Sequence, residues 1–153
     1  MKVLVVGATG FIAKNLIASL ENIISGKDRT YDFSGDIVLY KYSRNMGMEK
    51  LKEYCKDCNF VFYLAGVNRP KIPEEFLLGN VEYLECILKE LCYQRNACPV
   101  MYASSIQASL DNAYGKSKKM GEEIIKKYGY ESGATVYIYR LTNIFHLYGW
   151  KCV

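Results

Sequence analysis

The chain has 153 residues, which accommodates one domain built on one hydrophobic core. Half of the residues are apolar, 24% are charged and 3 are proline, a composition that excludes disordered and fibrous classes. The net charge is +4, with 20 basic and 16 acidic residues dispersed along the chain. That is too weak for a nucleic-acid-binding stripe, and no apolar run approaches the roughly 20 residues of a bilayer span.

The N-terminal stretch MKVLVVGATG has no signal-peptide pattern, because its apolar run passes straight into a glycine turn. A cytoplasmic location is expected. In such a compartment the six cysteines read as reduced thiols, with Cys86, Cys92 and Cys98 filling the core. Cys55 and Cys58 have the spacing of a redox or zinc pair, but there is no second pair and His146 is the single histidine. No metal site is expected.

In chain order, Lys2–Val6 is a short β-branched run ending at glycine, and reads as a buried strand. Residues 10–24 carry Phe11, Ile12, Leu16, Ile17, Leu20 and Ile24 at helical spacing. Residues 26–35 are polar and read as a loop, 36–42 as a second strand, and 46–56 as a short helix. Residues 60–65, FVFYLA, form a third strand that is apolar on both faces, as parallel sheets require. Pro73 opens a long helix to 93, and a fourth strand occupies 99–103. A helix over 112–128 and a strand over 134–141 complete the series.

Strand alternating with helix predicts an α/β fold, a doubly wound parallel sheet of the Rossmann type with right-handed crossovers. No repeat or linker divides the chain, so residues 1–153 read as a single domain. Ligands of such sheets lie beyond the carboxyl ends of the strands, so the residues after each strand are the candidates for function.

After the first strand comes Gly7-Ala8-Thr9-Gly10-Phe11-Ile12-Ala13. Gly7 permits a sharp turn, Gly10 lets a pyrophosphate approach the backbone, and Ala13 lets the helix pack closely on the sheet. The amides that open the helix favour phosphate charge. Nucleotide binding by this G-x-x-G-x-x-A turn is therefore expected. The second strand ends in Ser43-Arg44 with no acid to hold a ribose 2′-hydroxyl. Arg44 suits a 2′-phosphate, with Ser43 donating a hydrogen bond, so NADP(H) is favoured over NAD(H); a merely solvated Arg44 and Lys41 is the alternative.

The third strand leads into Leu64-Ala65-Gly66, small enough for backbone to lie against a cofactor. Arg69 and Lys71 beyond it either meet phosphate or face water. The fourth strand leads to Ser104-Ser105, and Tyr114 and Lys118 follow one helical turn apart on one face. A neighbouring ammonium lowers a phenol's pKa and makes it a better proton donor near neutrality. Tyr137 and Tyr139 read as strand packing.

Together these residues resemble the extended short-chain dehydrogenase/reductase superfamily, the NAD-dependent epimerases and dehydratases that act largely on nucleotide sugars. GATGFIA is similar to its cofactor turn. DCNFVFYLAG, residues 57–66, is similar to its third-strand signature, with Tyr63 where histidine is usual. The resemblance implies a catalytic triad of Ser105, Tyr114 and Lys118, with Tyr114 and Lys118 also touching the cofactor. It implies cofactor contacts at Gly7, Thr9, Gly10, Phe11, Ile12, Ser43, Arg44, Leu64, Ala65 and Gly66. It places Asn80 and Asn143 toward the substrate.

The segments LAGVNRPK, EEFLLGN, SSIQASLDNAYGKSK and VYIYRLTNIF resemble more closely the capsular polysaccharide-synthesis reductases that use NADPH to reduce a UDP-4-keto sugar. In that family the tyrosine protonates the keto oxygen, the lysine depresses its pKa and holds the nicotinamide ribose, and the serine polarises the carbonyl. The resemblance implies a nucleotide-sugar substrate and a homodimer formed through helices 73–93 and 112–128. It runs to Phe145 and stops before the family's substrate lobe and C-terminal cupin domain, so the fold is expected to be truncated before that lobe and turnover impaired. A non-catalytic NADP-binding module, or an epimerase or dehydratase of the same superfamily, are the alternatives.

Overall fold

The computed structural model describes residues 1–30, 36–142 and 144. Five strands, β1 (Lys2–Val6), β2 (Val38–Tyr42), β3 (Phe60–Tyr63), β4 (Val100–Ser105) and β5 (Val136–Leu141), form one sheet in the order β2-β1-β3-β4-β5. Every pairing is parallel. The order matches the dinucleotide-binding arrangement 3-2-1-4-5-6 without its strand 3, and the direction of winding reverses between β1 and β3. That reversal opens a crevice at the carboxyl ends of the strands.

The helices are α1 (Phe11–Ile24), α2 (Met48–Asp57), α3 (Glu74–Leu77), α4 (Tyr83–Tyr93) and α5 (Ala113–Ser132). Right-handed crossovers decide their sides. The chain moves one way along the sheet from β1 to β2 and the other way thereafter, so α1 covers one face while α2, α4 and α5 cover the other. The larger core lies under the latter three and holds Leu4, Val6, Leu51, Val61, Leu84, Ile87, Leu91, Val100 and Ile125, all fully buried. Each such side chain contributes about 1.5–3 kcal/mol by leaving water. The smaller core joins Val3, Val5, Ala13, Ile17 and Ile37 under α1. Ala13 is fully buried there, as the close packing of helix on sheet requires.

The handedness that gathers three helices on one face leaves the opposite side of β4 and β5 thinly covered by the described residues. Tyr137 and Tyr139 of β5 are 43% and 54% exposed, and Tyr137 stacks on Phe60. These tyrosines contact the sheet's own surface rather than a closed core.

The long helix expected over 73–93 is a continuous helical run interrupted by a π turn. Pro73 precedes α3, the π turn spans Leu78–Glu82, and α4 follows directly. Gly79 permits this, because a Cβ there would meet Val67 Cγ2 at 2.4 Å. The residues expected to start the helix at 46 instead form a 3₁₀ turn, Arg44–Met46, ahead of α2. The fourth strand runs two residues further than 103, ending on Ser105, and α5 continues to Ser132 before Gly133 terminates it in the left-handed region. Residues 31–35 of the expected loop lie outside the described residues. Among the described residues no helix is long and apolar enough to cross a membrane.

Candidate active site

The turn after β1 is anchored on its neighbour strand: Gly7 and Ala8 N–H both donate to the Tyr42 carbonyl, at 2.9 and 3.1 Å, and Gly10 N–H closes the turn on Gly7 O at 2.9 Å. Gly7 has φ +85°, and a Cβ on it would lie 2.7 Å from the Ala65 backbone. Only glycine satisfies both the angle and the contact. The result sets the start of α1 at the crevice, where Gly10, Phe11 and Ile12 line a cleft of about 350 Å³.

The opposite wall comes from β3, β4 and α5. Asn112 caps α5 by accepting the Gly115 N–H at 2.7 Å. A Cβ on Gly115 would come within 2.1 Å of the Gln107 carbonyl, so its absence lets α5 press on the 3₁₀ turn Ile106–Ser109 that follows β4. That close approach brings Tyr114 beside Ser105. Phe76 of α3 packs against the Tyr114 ring at 5.7 Å and limits its movement.

Tyr114, Lys118 and Ser105 all line the cleft. Ser105 Oγ accepts the Gln107 N–H at 3.2 Å; burial raises the Tyr114 phenol's pKa, and the neighbouring Ser105 hydroxyl opposes this without reversing it. Lys118 is 5% exposed and its Nζ donates to the Ala103 carbonyl at 2.9 Å. Burial pushes its pKa down to about 8. The expectation that Lys118 depresses the Tyr114 pKa is thus not met in the chain by itself. The ammonium sits 5.9 Å from the phenol ring centroid and is directed at the Ala103 carbonyl.

Of the other expected residues, Leu64 and Gly66 line the cleft, while Gly7, Thr9, Ala65, Ser43, Arg44 and Asn80 do not. Gly7 and Ala65 shape the turn through their mutual contact. Asn80 is 1% exposed. Its amide donates to Val67 O at 2.9 Å and to Ser117 Oγ at 2.9 Å, and its carbonyl accepts Val67 N–H at 2.7 Å. With these bonds made, Asn80 fixes the loop after β3 against α5. Arg44 follows β2 and lays its guanidinium 4.5 Å from the Tyr83 ring centroid. Asn143 lies outside the described residues.

Val67, Asn68, Arg69, Gln107 and Thr142 also line the cleft and were not among the expected site residues, although Arg69 had been open between phosphate and water. Their one signal in the sequence is position, each just beyond the end of a strand. Behind the site, Glu122 accepts from Ser104 Oγ at 2.5 Å and from Arg140 Nε and Nη2 at 2.8 Å each, which ties the carboxyl ends of β4 and β5 to α5. Among the described residues no group of three or more His, Cys, Asp or Glu side chains is arranged to hold a metal ion.

The fit to a dinucleotide can be judged from this geometry. Among the described residues a Cβ on Gly10 would meet only Gly7 O, 3.2 Å away, so these residues leave the mouth of the turn unfilled. On the facing wall, the space above Gly66 is bounded by Lys118 Nζ and Asn80 Oδ1, each 3.1 Å from where a Cβ would stand. A phosphate at the start of α1 and a ribose against Gly66 and Lys118 suit these two spaces.

Fold and site thus define a dinucleotide-binding α/β domain with a Ser-Tyr-Lys constellation at its crevice. The chain belongs to the NAD dependent epimerase/dehydratase family, whose pattern it matches over residues 3–149. It is 41% identical over 145 residues to the UDP-2-acetamido-2,6-beta-L-arabino-hexul-4-ose reductase of Pseudomonas aeruginosa, covering 95% of this chain and 36% of that protein. It superposes with a TM-score of 0.77 and 35% identity on the capsular polysaccharide assembling protein CapF of Staphylococcus aureus, covering 97% of this chain and 36% of that one. At 17% identity and a TM-score of 0.73, the fold also matches a UDP-glucuronic acid 4-epimerase of Bacillus cereus solved with NAD, over 95% of this chain and 57% of that one. The chain therefore spans little more than a third of the reductase and of CapF.

Proposed function

We propose that this chain supplies the cofactor and proton-transfer half of an NADPH-dependent reductase acting on a 4-keto nucleotide sugar, in the making of capsular or other surface polysaccharide precursors. The observation that carries this reading is the meeting of Ser105, Tyr114 and Lys118 in the cleft that begins at the glycine turn. The 41% identity to a hexulose reductase supports the substrate class.

The chemistry that NADPH contributes when bound is hydride transfer to a carbonyl carbon. Tyr114 then donates its phenolic proton to the keto oxygen as negative charge develops there. Ser105, which lines the same cleft, donates to the same oxygen and polarises it. Lys118 at a pKa of about 8 holds a ribose hydroxyl and, when protonated, favours the phenolate left after transfer. The walls from β1, β3 and α5 would hold the cofactor beside Tyr114, and bringing the carbonyl into contact with it there removes much of the entropic barrier.

Preference for NADP(H) is supported by the residues after β2. Arg44 stacks its face on Tyr83, and its N–H edge has no protein acceptor among the described residues. Ser43 precedes it, and no carboxylate follows the strand. A 2′-phosphate is the group such an edge recognises. We also assign the chain to the cytoplasm and to a homodimer joined through the helical run 74–93 and α5, on which Tyr93 and Met120 stay exposed.

The test is titration with NADPH and NADH followed by turnover of a UDP-4-keto sugar. NADPH is expected to bind more tightly than NADH, and Arg44→Ala to erase the difference. If neither cofactor binds, the reading fails. Binding of NADPH with no reduction would favour a non-catalytic cofactor module instead.

A further inference from the structure

Two cysteines with redox spacing in the sequence are not the two that meet in the fold. Cys58 Sγ lies 3.7 Å from Cys98 Sγ, across 40 residues. We propose that Cys58 and Cys98 form a thiol oxidation site that a peroxide converts to an intramolecular disulfide.

The pair is held from both sides by one side chain. Asn96 Nδ2 donates to Cys55 O at 2.9 Å and to Cys58 O at 2.8 Å, and reaches Cys58 Sγ at 3.6 Å. Asn96 Oδ1 accepts the Cys98 N–H at 3.0 Å. The backbones of both cysteines are therefore registered by a single amide. Cys58 follows α2 and Cys98 precedes β4, so neither sits in a helix interior or a strand ladder that would resist side-chain rotation. Bond formation needs a sulfur separation of about 2.05 Å, so the sulfurs must close from 3.7 Å.

The two thiols are unequal. The S–H···S contact they share holds the Cys98 thiol's pKa down and, with burial, pushes that of Cys58 up. Cys98 is also the more accessible, at 8% exposure against 2%. It is the nucleophile toward an entering oxidant. Its thiolate attacks one oxygen of hydrogen peroxide, the O–O bond breaks, and a sulfenic acid and hydroxide result. The hydroxide takes the proton originally lost by Cys98 and leaves as water. The Cys58 sulfur then attacks the Cys98 sulfur, and the sulfenic hydroxyl departs with the Cys58 proton as a second water. Two thiols have been oxidised and one peroxide reduced to two waters. The site lies at the amino ends of β3 and β4, opposite the cleft, and the disulfide would close a loop carrying β3, the 64–70 segment of the cleft and α4.

The test uses the full chain with stoichiometric hydrogen peroxide, then denaturing alkylation and tryptic mapping. Cleavage after Lys56 separates Cys55 from Cys58, so the partner is unambiguous. Two of the six thiols should become unavailable, and the peptides bearing Cys58 and Cys98 should be joined with the loss of two hydrogens. The oxidised chain should unfold at a higher temperature, because closing a long loop restricts the unfolded state, and dithiothreitol should reverse this. Cys92→Ser should leave the link intact and Cys98→Ser should remove it; if the latter variant does not fold, the map of the unsubstituted chain decides. The proposal is overturned if Cys58 and Cys98 are fully alkylated while exposed Cys92 is oxidised, or if Cys58 is joined to Cys55.

Discussion

Lys118 Nζ donates a 2.9 Å hydrogen bond to the Ala103 carbonyl, which points the side chain from α5 into the end of β4. The bond keeps a lysine at the cleft wall with 5% exposure, and the cost of that placement is visible in its titration. Its pKa falls from 10.5 to about 8 because burial disfavours the charge.

A lysine with a depressed folded pKa binds fewer protons when folded than when unfolded. Stability is therefore penalised at low pH and rises as the pH climbs from about 8 toward the unfolded value of 10.5. Lys118→Met removes that dependence. In urea titrations without cofactor, its stability relative to the parent chain should decline by about 2–3 kcal/mol between pH 7 and pH 11. A difference that stays flat across this range would contradict the burial of the ammonium.

Gly7→Ala tests the turn. The new Cβ must accept φ +85° and a 2.7 Å approach to the Ala65 backbone. The substitution should cost about 2–4 kcal/mol in chemical denaturation. It should also weaken NADPH binding at least tenfold, measured by fluorescence titration under conditions where the variant is folded. Full affinity in a folded variant would remove the turn from the cofactor site.

Glu122 is 3% exposed, and the Arg140 guanidinium beside it holds its carboxyl below the usual range against the opposing effect of burial. A depressed acid contributes stability that is present above its unfolded pKa and lost as pH falls through the folded value. Because Arg140 is about half exposed, screening reduces the contribution. Glu122→Gln should destabilise the chain by about 1–2 kcal/mol at pH 7, with the difference shrinking below about pH 4. Thermal unfolding across that range reads both.

Tyr63 is fully buried in the larger core, and its hydroxyl has no hydrogen-bond partner among the described residues. Tyr63→Phe deletes an unpaired polar atom and retains the ring contacts with Tyr83 and Tyr102. The variant should be neutral or more stable by about 1 kcal/mol. A marked loss in urea unfolding would place a buried water on that hydroxyl.

Elements set by local pattern were legible from the residues. The Val-rich run before Gly7 and the 3.6-residue spacing after Gly10 predict β1 and α1 at their observed places, because neighbours in sequence determine both strand propensity and helical amphipathicity. The π turn was not legible. It depends on Gly79 meeting Val67 and on Asn80 turning to bond the same residue, contacts that cross 12 and 13 positions. The Tyr114–Lys118 spacing likewise suggested an ammonium acting on a phenol, whereas their distance and burial give a lysine directed at Ala103.

The sequence by itself determined the alternation of strand and helix, the glycine turn, and the residue types available for proton transfer, since each is encoded over a few consecutive positions. Tertiary structure decided which of those residues meet. It set Ser105 beside Tyr114, tied Glu122 to Arg140, and paired Cys58 with Cys98 rather than with Cys55. These relationships follow from parallel register and from the side each right-handed crossover takes. Those are properties of the whole sheet, and no short window of residues contains them.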